Sequence, residues 1–274
     1  MIANRFLRWN AGRICVGVVL FVLVYTAMRI VLPYQRDQRI AREITALGGS
    51  VNTQYCGPDW IPPAIQNQFI CFDRLIHIEL RFRPVPEDLL KDFGTLGTLK
   101  SLDLSGKQTT DAVLQHMKTP KTLEILRIQG AEITDIGLAQ LNGMTKLEYL
   151  DLGATEITDS GLMHLSNMKK LRSLSLTLTR VTDDGLRHLN GLSRLSSLSV
   201  IGTEITDAGL EHVRNLTRFE FLDLSNTHVS DAGLEYLKGM TLLRHIYLFH
   251  SRTTEDGRSK LRIALPECRV EPEP

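Results

Sequence analysis

Residues Leu147 to Lys170 read LEYLDLGATEITDSGLMHLSNMKK, and most of the chain repeats this stretch. Its leading leucine returns at Leu99, Leu123, Leu171, Leu195 and Leu243, with Phe219 in the remaining slot, in steps of 24 residues without an insertion. One further step back reaches Leu75, where the echo is fainter. A fixed period of this length, each unit opening L-x-x-L-x-L, is the signature of a solenoid.

Within the unit, Leu150 and Leu152 alternate with Tyr149, Asp151 and Gly153. That period of two predicts a short strand with leucines inward and the intervening residues on an open face. Ile157 points inward after a turn. Thr158-Asp159 then precedes Leu162 and Leu165, and an oxygen-bearing side chain there predicts a helix start that accepts from an orphaned backbone N–H. The columns repeat this reading. Asp111, Asp135, Asp159, Asp183, Asp207 and Asp231 hold the cap position, with Glu255 last. Gly137, Gly161, Gly185, Gly209, Gly233 and Gly257 follow, as if the helix lay close against the strand layer. Thr155, Thr179, Thr203 and Thr227 form a column that predicts a hydroxyl ladder between coils.

The pattern LxxLxLxxTxITDxGLxxL resembles the leucine-rich repeats of bacterial membrane-anchored proteins and is similar to the repeats of F-box adaptor proteins. It runs from about Leu75 to the C-terminus, and five consecutive units from 123 to 242 keep nearly every slot. The resemblance implies an α/β, right-handed coil with a parallel sheet on the concave side and helices on the convex side. It also implies protein recognition without naming a partner. Two departures argue against a ubiquitin-ligase adaptor: the Cys found at the Thr column of many F-box repeats is absent, and a membrane span stands where an F-box would. The end units degrade. Lys107 and Val113 replace the Thr and Gly of the unit at Leu99, and Arg258 occupies an inward Leu slot. The coil after Arg258 is therefore expected not to pack normally, with Leu261–Leu265, Pro266 and Cys268–Val270 forming a cap. Eight strands are expected in the sheet.

Before the repeats, Arg5, Arg8 and Arg13 precede an apolar run from Ile14 to Leu32 that is broken only by Arg29. Nineteen residues approach the roughly 20 needed to cross a bilayer as a helix, and Arg29 lies near enough to the end to snorkel. A cleaved signal peptide competes, but Tyr25-Thr26-Ala27 is a poor cleavage site. Arginines flank the span on both sides, so orientation rests on the short N-terminal tail, which favours export of the repeats to the periplasmic or cell-surface side. Residues 34–49 read as an amphipathic helix ended by Gly48-Gly49. Val51–Tyr55 reads as a strand and Ala64–Phe72 as a second helix. The division is then 1–13 tail, 14–32 transmembrane anchor, 33–74 N-terminal cap and linker, and 75–274 solenoid, with a C-terminal cap from about 258.

Composition bounds the function classes. A chain of 274 residues that is 43% hydrophobic and 23% charged has enough apolar material for a core. A formal net charge of +1 offers no global basic field for nucleic acid. Cys15, Cys56, Cys71 and Cys268 match neither a zinc spacing nor a dense disulfide framework; Cys56 and Cys71 either pair, if exported, or stay free. The stacked His116, His164, His188 and His212 are a product of repeat duplication rather than a metal site. The Asp column lacks the glycine pattern of a calcium-binding roll. No catalytic set, metal site or cofactor site is expected, nor a small-molecule substrate.

What remains is the open strand face, whose three columns vary from unit to unit while the internal columns do not. Aromatic and Arg side chains on an exposed sheet suit interface anchors. Arg127, Tyr149, Asp151, Phe221, Asp223, Tyr247 and Phe249 are the expected contacts to a protein or peptide. The competing role is a structural, scaffolding protein of the cell envelope acting by repeat self-association.

Overall fold

The computed structural model describes residues 18–59, 61–117 and 121–272. The tail 1–13 and the first residues of the expected span, 14–17, lie outside them.

Ten strands form one sheet in chain order. β1 (Ser50–Tyr55) pairs antiparallel with β2 (Asp73–Glu79). From β2 onward the pairing is parallel, through β3 (Ser101–Asp103), β4 (Ile125–Arg127), β5 (Tyr149–Asp151), β6 (Ser173–Ser175), β7 (Ser197–Ser199), β8 (Phe221–Asp223), β9 (His245–Tyr247) and β10 (Arg269–Glu271). The constant period sets the register, so Leu126, Leu150, Leu174, Leu198 and Leu222 stand side by side, each beside its own copy. Three-residue strands suffice because the ladder continues past them: Leu152 N donates to Ser175 O at 3.0 Å and Ala154 N to Thr177 O at 2.7 Å. Helices lie on the opposite side, and the leucine columns between the layers form one continuous buried core.

Two strands exceed the expected eight. One is β1, contributed by the N-terminal hairpin. The other is β10, which takes the same 24-residue register as every unit before it. The coil after Arg258 therefore does close. Arg258 turns its guanidinium onto Thr253 O at 3.0 Å and Glu255 Oε2 at 3.1 Å, and Leu261, one turn later in the long helix Glu255–Ala264, fills the interior.

The Asp column does not do what the sequence suggests. In four of the six units the residue before the Asp caps the helix: Thr158 Oγ1, for example, accepts from Ser160 N at 3.3 Å, and Thr134, Thr206 and Ser230 do the same. The Asp side chain instead reaches the next coil. Asp159 accepts from Thr182 N through Oδ1 and from Thr182 Oγ1 through Oδ2, both at 2.7 Å. The same two-pronged clamp joins Asp111 to Thr134, Asp135 to Thr158, Asp183 to Thr206, Asp207 to Ser230 and Asp231 to Thr254. This gives the Gly column a different cause from strand proximity. A Cβ on Gly185 would collide with Asp159 Oδ1 and Val181, and the other five glycines meet the preceding Asp in the same way. The Thr column also works within its own coil rather than between coils: Thr155 Oγ1 donates to Leu152 O at 2.6 Å, and Thr179, Thr203 and Thr227 repeat the bond.

The N-terminal helix runs unbroken from Val18 to Ala46, through Pro33. Proline has no N–H and its ring crowds the carbonyl one turn back. Here a wider π turn, Ala27–Val31, sits immediately upstream and makes room. The first part of the helix exposes its apolar side chains, Phe21 by 70%. The second part docks: Ile40 and Ile44 are fully buried, Arg39 pairs with Asp92 at 2.6 Å, and Arg36 donates to Thr95 O at 2.8 Å. Gly48, at φ +75°, ends the helix in the left-handed conformation.

Candidate binding surface

Side chains at alternate strand positions leave the core and form the open face. Arg127 lies on β4, Tyr149 and Asp151 on β5, Phe221 and Asp223 on β8, Tyr247 on β9 and Phe249 just beyond it. All are half-buried except Phe249, which is exposed. The sheet brings these seven residues into two groups rather than one.

The first group is charged. The Arg127 guanidinium lies 4.8 Å from the centre of the Tyr149 ring, a cation–π contact. Asp151 sits beside Arg127 in the ladder. Arg127 and Asp151 share a recess of about 490 Å³ with Arg81, Phe82 and Asp103. Arg81 Nε donates to the buried Asp103 at 2.7 Å; that bond, with Glu79 adding to it, raises the Arg81 pKa above the usual arginine value. The second group is aromatic. Phe221 and Tyr247 have ring centres 5.4 Å apart, and Tyr247 and Phe249 6.2 Å apart.

Between the groups, β6 and β7 present only hydroxyls: Ser173, Ser175, Ser197 and Ser199, with Thr177 Oγ1 and Ser199 Oγ 2.9 Å apart. The span from β5 to β8 is three strand spacings, about 14 Å. Asp151 and Asp223 are partly engaged at home, each accepting from the backbone N–H two residues on, at 3.0 Å. One carboxylate oxygen of each is left out of that bond.

Two features of this face escaped the sequence reading. Arg81 and Phe82 were not among the expected contacts, because they precede the clear repeats. The second is a column at the rim: Phe82, Ala154, Leu178, Asn226 and His250, in register with Gly106, Gly130 and Gly202, all hold positive φ. Its signal was present in the glycines and the Asn at 24-residue spacing, which favour the left-handed conformation. Leu178 and Phe82 occupy it at a steric cost and are 60% and 68% exposed.

On the helix side, His164, His188 and His212 stay half-buried in their column. Among the described residues, no group of three or more His, Cys, Asp or Glu side chains is placed to hold a metal ion. The six clamp aspartates have both oxygens occupied by the next coil. The open face thus offers a guanidinium, carboxylates, hydroxyls and rings on a rigid hydrogen-bonded platform.

The family profile described as Leucine Rich repeat matches residues 143–166, 167–189 and 217–238. No curated protein matches this chain. Among solved structures, an internalin C2 from Listeria monocytogenes is similar at TM-score 0.51 and 22% identity, over 68% of this chain and 73% of that one. A second internalin of the same organism is similar at TM-score 0.37 and 17% identity, over 68% of this chain and 82% of that one. The likeness to internalin C2 is one of fold. With the 24-residue units, the parallel ladder and the profile match together, the chain folds as a leucine-rich-repeat solenoid.

Proposed function

We propose that the chain is a membrane-anchored interaction module that binds a protein or peptide across the open sheet face, the concave side of such a coil, and is not an enzyme. The observation that carries this is the segregation of the face. Every internal column repeats almost unchanged, whereas the open face places a charged recess at one end, an aromatic cluster at the other and a strip of small hydroxyls between them. A surface under no demand but solubility has no cause to gather three aromatic rings on two adjacent coils. Aromatic and Arg side chains make large contacts at modest entropic cost. Arg127, Tyr149 and Asp151 would engage a polar or charged part of the partner, and Phe221, Tyr247 and Phe249 an apolar part about 14 Å away. Asp223, two residues along β8 from Phe221 and beside Tyr247 in the ladder, supplies a hydrogen-bond acceptor to the second group.

Anchoring rests on residues 18–25, whose apolar side chains are exposed along the helix, ahead of the π turn Ala27–Val31. With the short basic tail inside, the repeats are exported. The test is quantitative capture by the full-length chain in mild detergent, comparing the native protein with Tyr247→Ala, Phe221→Ala and a helix-side control, Met163→Ala. Loss of one partner from the first two variants alone supports the reading. Identical recovery from all four sinks it. Concentration-dependent oligomers abolished by the same two substitutions would point to scaffolding by self-association.

A further inference from the structure

The block between β1 and β2 carries a small apolar surface that the repeats do not use. Ile65, on the short helix Pro63–Gln66, is 38% exposed. Phe69 and Ile70, at the following turn Ile70–Phe72, are 38% and 57% exposed. Elsewhere on the described solenoid, large exposed apolar side chains stand mostly one to a coil. Here three fall within six residues of sequence.

Position is the informative part. The turn Ile70–Phe72 packs against the π turn Ala27–Val31 of the N-terminal helix. Arg74, itself buried, donates to Ile30 O at 3.3 Å and to Cys71 O at 2.8 Å, tying the two segments together. If residues 14–32 span the bilayer, Ala27–Val31 is the last turn of that span. A side chain beside it then sits at the boundary of hydrocarbon and headgroups. The rest of the helix is no loose tether either, since Ile40 and Ile44 are in the core and Arg36 and Arg39 bond to the first coils. The block is held at a set height relative to the span.

We propose that Ile65, Phe69 and Ile70 form a second membrane contact, dipping into the interfacial layer of the bilayer beside the span and holding the solenoid at a defined angle to the surface. The occupant is the lipid surface because the patch is continuous with the exposed apolar helix 18–32, whose own cover can only be lipid under the anchoring reading on which this inference rests. Ile65, Phe69 and Ile70 supply apolar side chains to such a contact, and Gln66, Asn67 and Gln68 lie between them in sequence as its polar part.

The test places an environment-sensitive fluorophore on the full-length chain in vesicles of phosphatidylcholine with a minority of phosphatidylglycerol. Cys15, Cys56 and Cys71 are replaced by Ser, and buried Cys268 is left in place. Single labels are set by Ile70→Cys, Phe69→Cys, Leu23→Cys in the span and Met163→Cys on the helix side. Blue-shifted emission at 69 and 70, quenched by nitroxide-bearing lipid about as strongly as at 23 while 163 is unaffected, is the expected result. Water-like, unquenched emission at 69 and 70 overturns the second contact, whatever position 23 reports. Unquenched emission at 23 overturns the anchoring reading separately.

Discussion

Each coil carries two rows of polar side chains, and the rows follow opposite rules. On the helix side, an Asp, a Thr or Ser and a Gly recur six times with the same bonds, 2.6 to 2.9 Å long. On the sheet face, adjacent coils carry Arg then Asp, or Asp then Tyr, in the same slot. A residue whose partner is the neighbouring copy of its own unit must suit a geometry that repeats, so it repeats too. A residue on the open face answers to nothing inside the coil and is at liberty to differ.

The largest expected effect breaks the clamp row. Asp159→Ala leaves the Thr182 amide and hydroxyl without their acceptor, which should cost about 2–3 kcal/mol in a denaturant-unfolding measurement. A loss below about 0.5 kcal/mol would mean the clamp contributes no more than an ordinary surface contact. Gly185→Ala should cost about 1–3 kcal/mol, because its new methyl strikes Asp159. In the Asp159→Ala background that cost should shrink by at least about 1 kcal/mol, since the colliding oxygen has gone; simple additivity would refute the coupling.

The face should respond in binding rather than folding. Tyr247→Ala or Phe221→Ala is expected to weaken partner capture by about tenfold or more. Ser197→Ala, on the hydroxyl strip, should move neither capture nor stability beyond about 0.5 kcal/mol. Equal effects at Ser197 and Tyr247 would erase the distinction between strip and cluster. Below the aromatic substitutions in size, Leu178→Asn should stabilise by up to about 1 kcal/mol, because Asn tolerates positive φ better than Leu and the leucine is mostly exposed.

The smallest effect concerns pH at the last clamp. Burial raises the Asp231 pKa, but the hydroxyl and amide bonds from Thr254 outweigh it and hold the carboxyl below its usual value. A lowered folded-state pKa means the clamp's contribution is present above the unfolded value and is lost as pH falls through the folded one. The stability gap between the native chain and Asp231→Asn should therefore narrow on acidification from about pH 6 to below about pH 4. A gap that widened would reverse the assignment.

How much of this was legible can be followed residue by residue. Leu150 and Leu152 announced a strand with an inward face, and Thr158 announced a helix start, because both signals lie within a few residues. The open face with Tyr149, Phe221 and Tyr247 on it was legible for the same reason. Asp159 was assigned to its own helix because its true partner, Thr182, lies 23 residues away in another unit. Gly185 was misattributed with it, since the obstacle is that same carboxylate. Arg258 promised a broken coil that its bonds to Thr253 and Glu255 relieved.

The sequence by itself determined the architecture: a strict 24-residue period makes every inward residue the neighbour of its own copy, so strand order and register leave no alternative. Only the tertiary structure decided the partners. It turned the Asp column into inter-coil clamps, stacked Arg127 on Tyr149, gathered Phe221, Tyr247 and Phe249, and placed Ile70 beside the π turn of the N-terminal helix. Each of these is a distance between side chains far apart in sequence or on separate coils. Local pattern carries the period of such contacts but not their geometry.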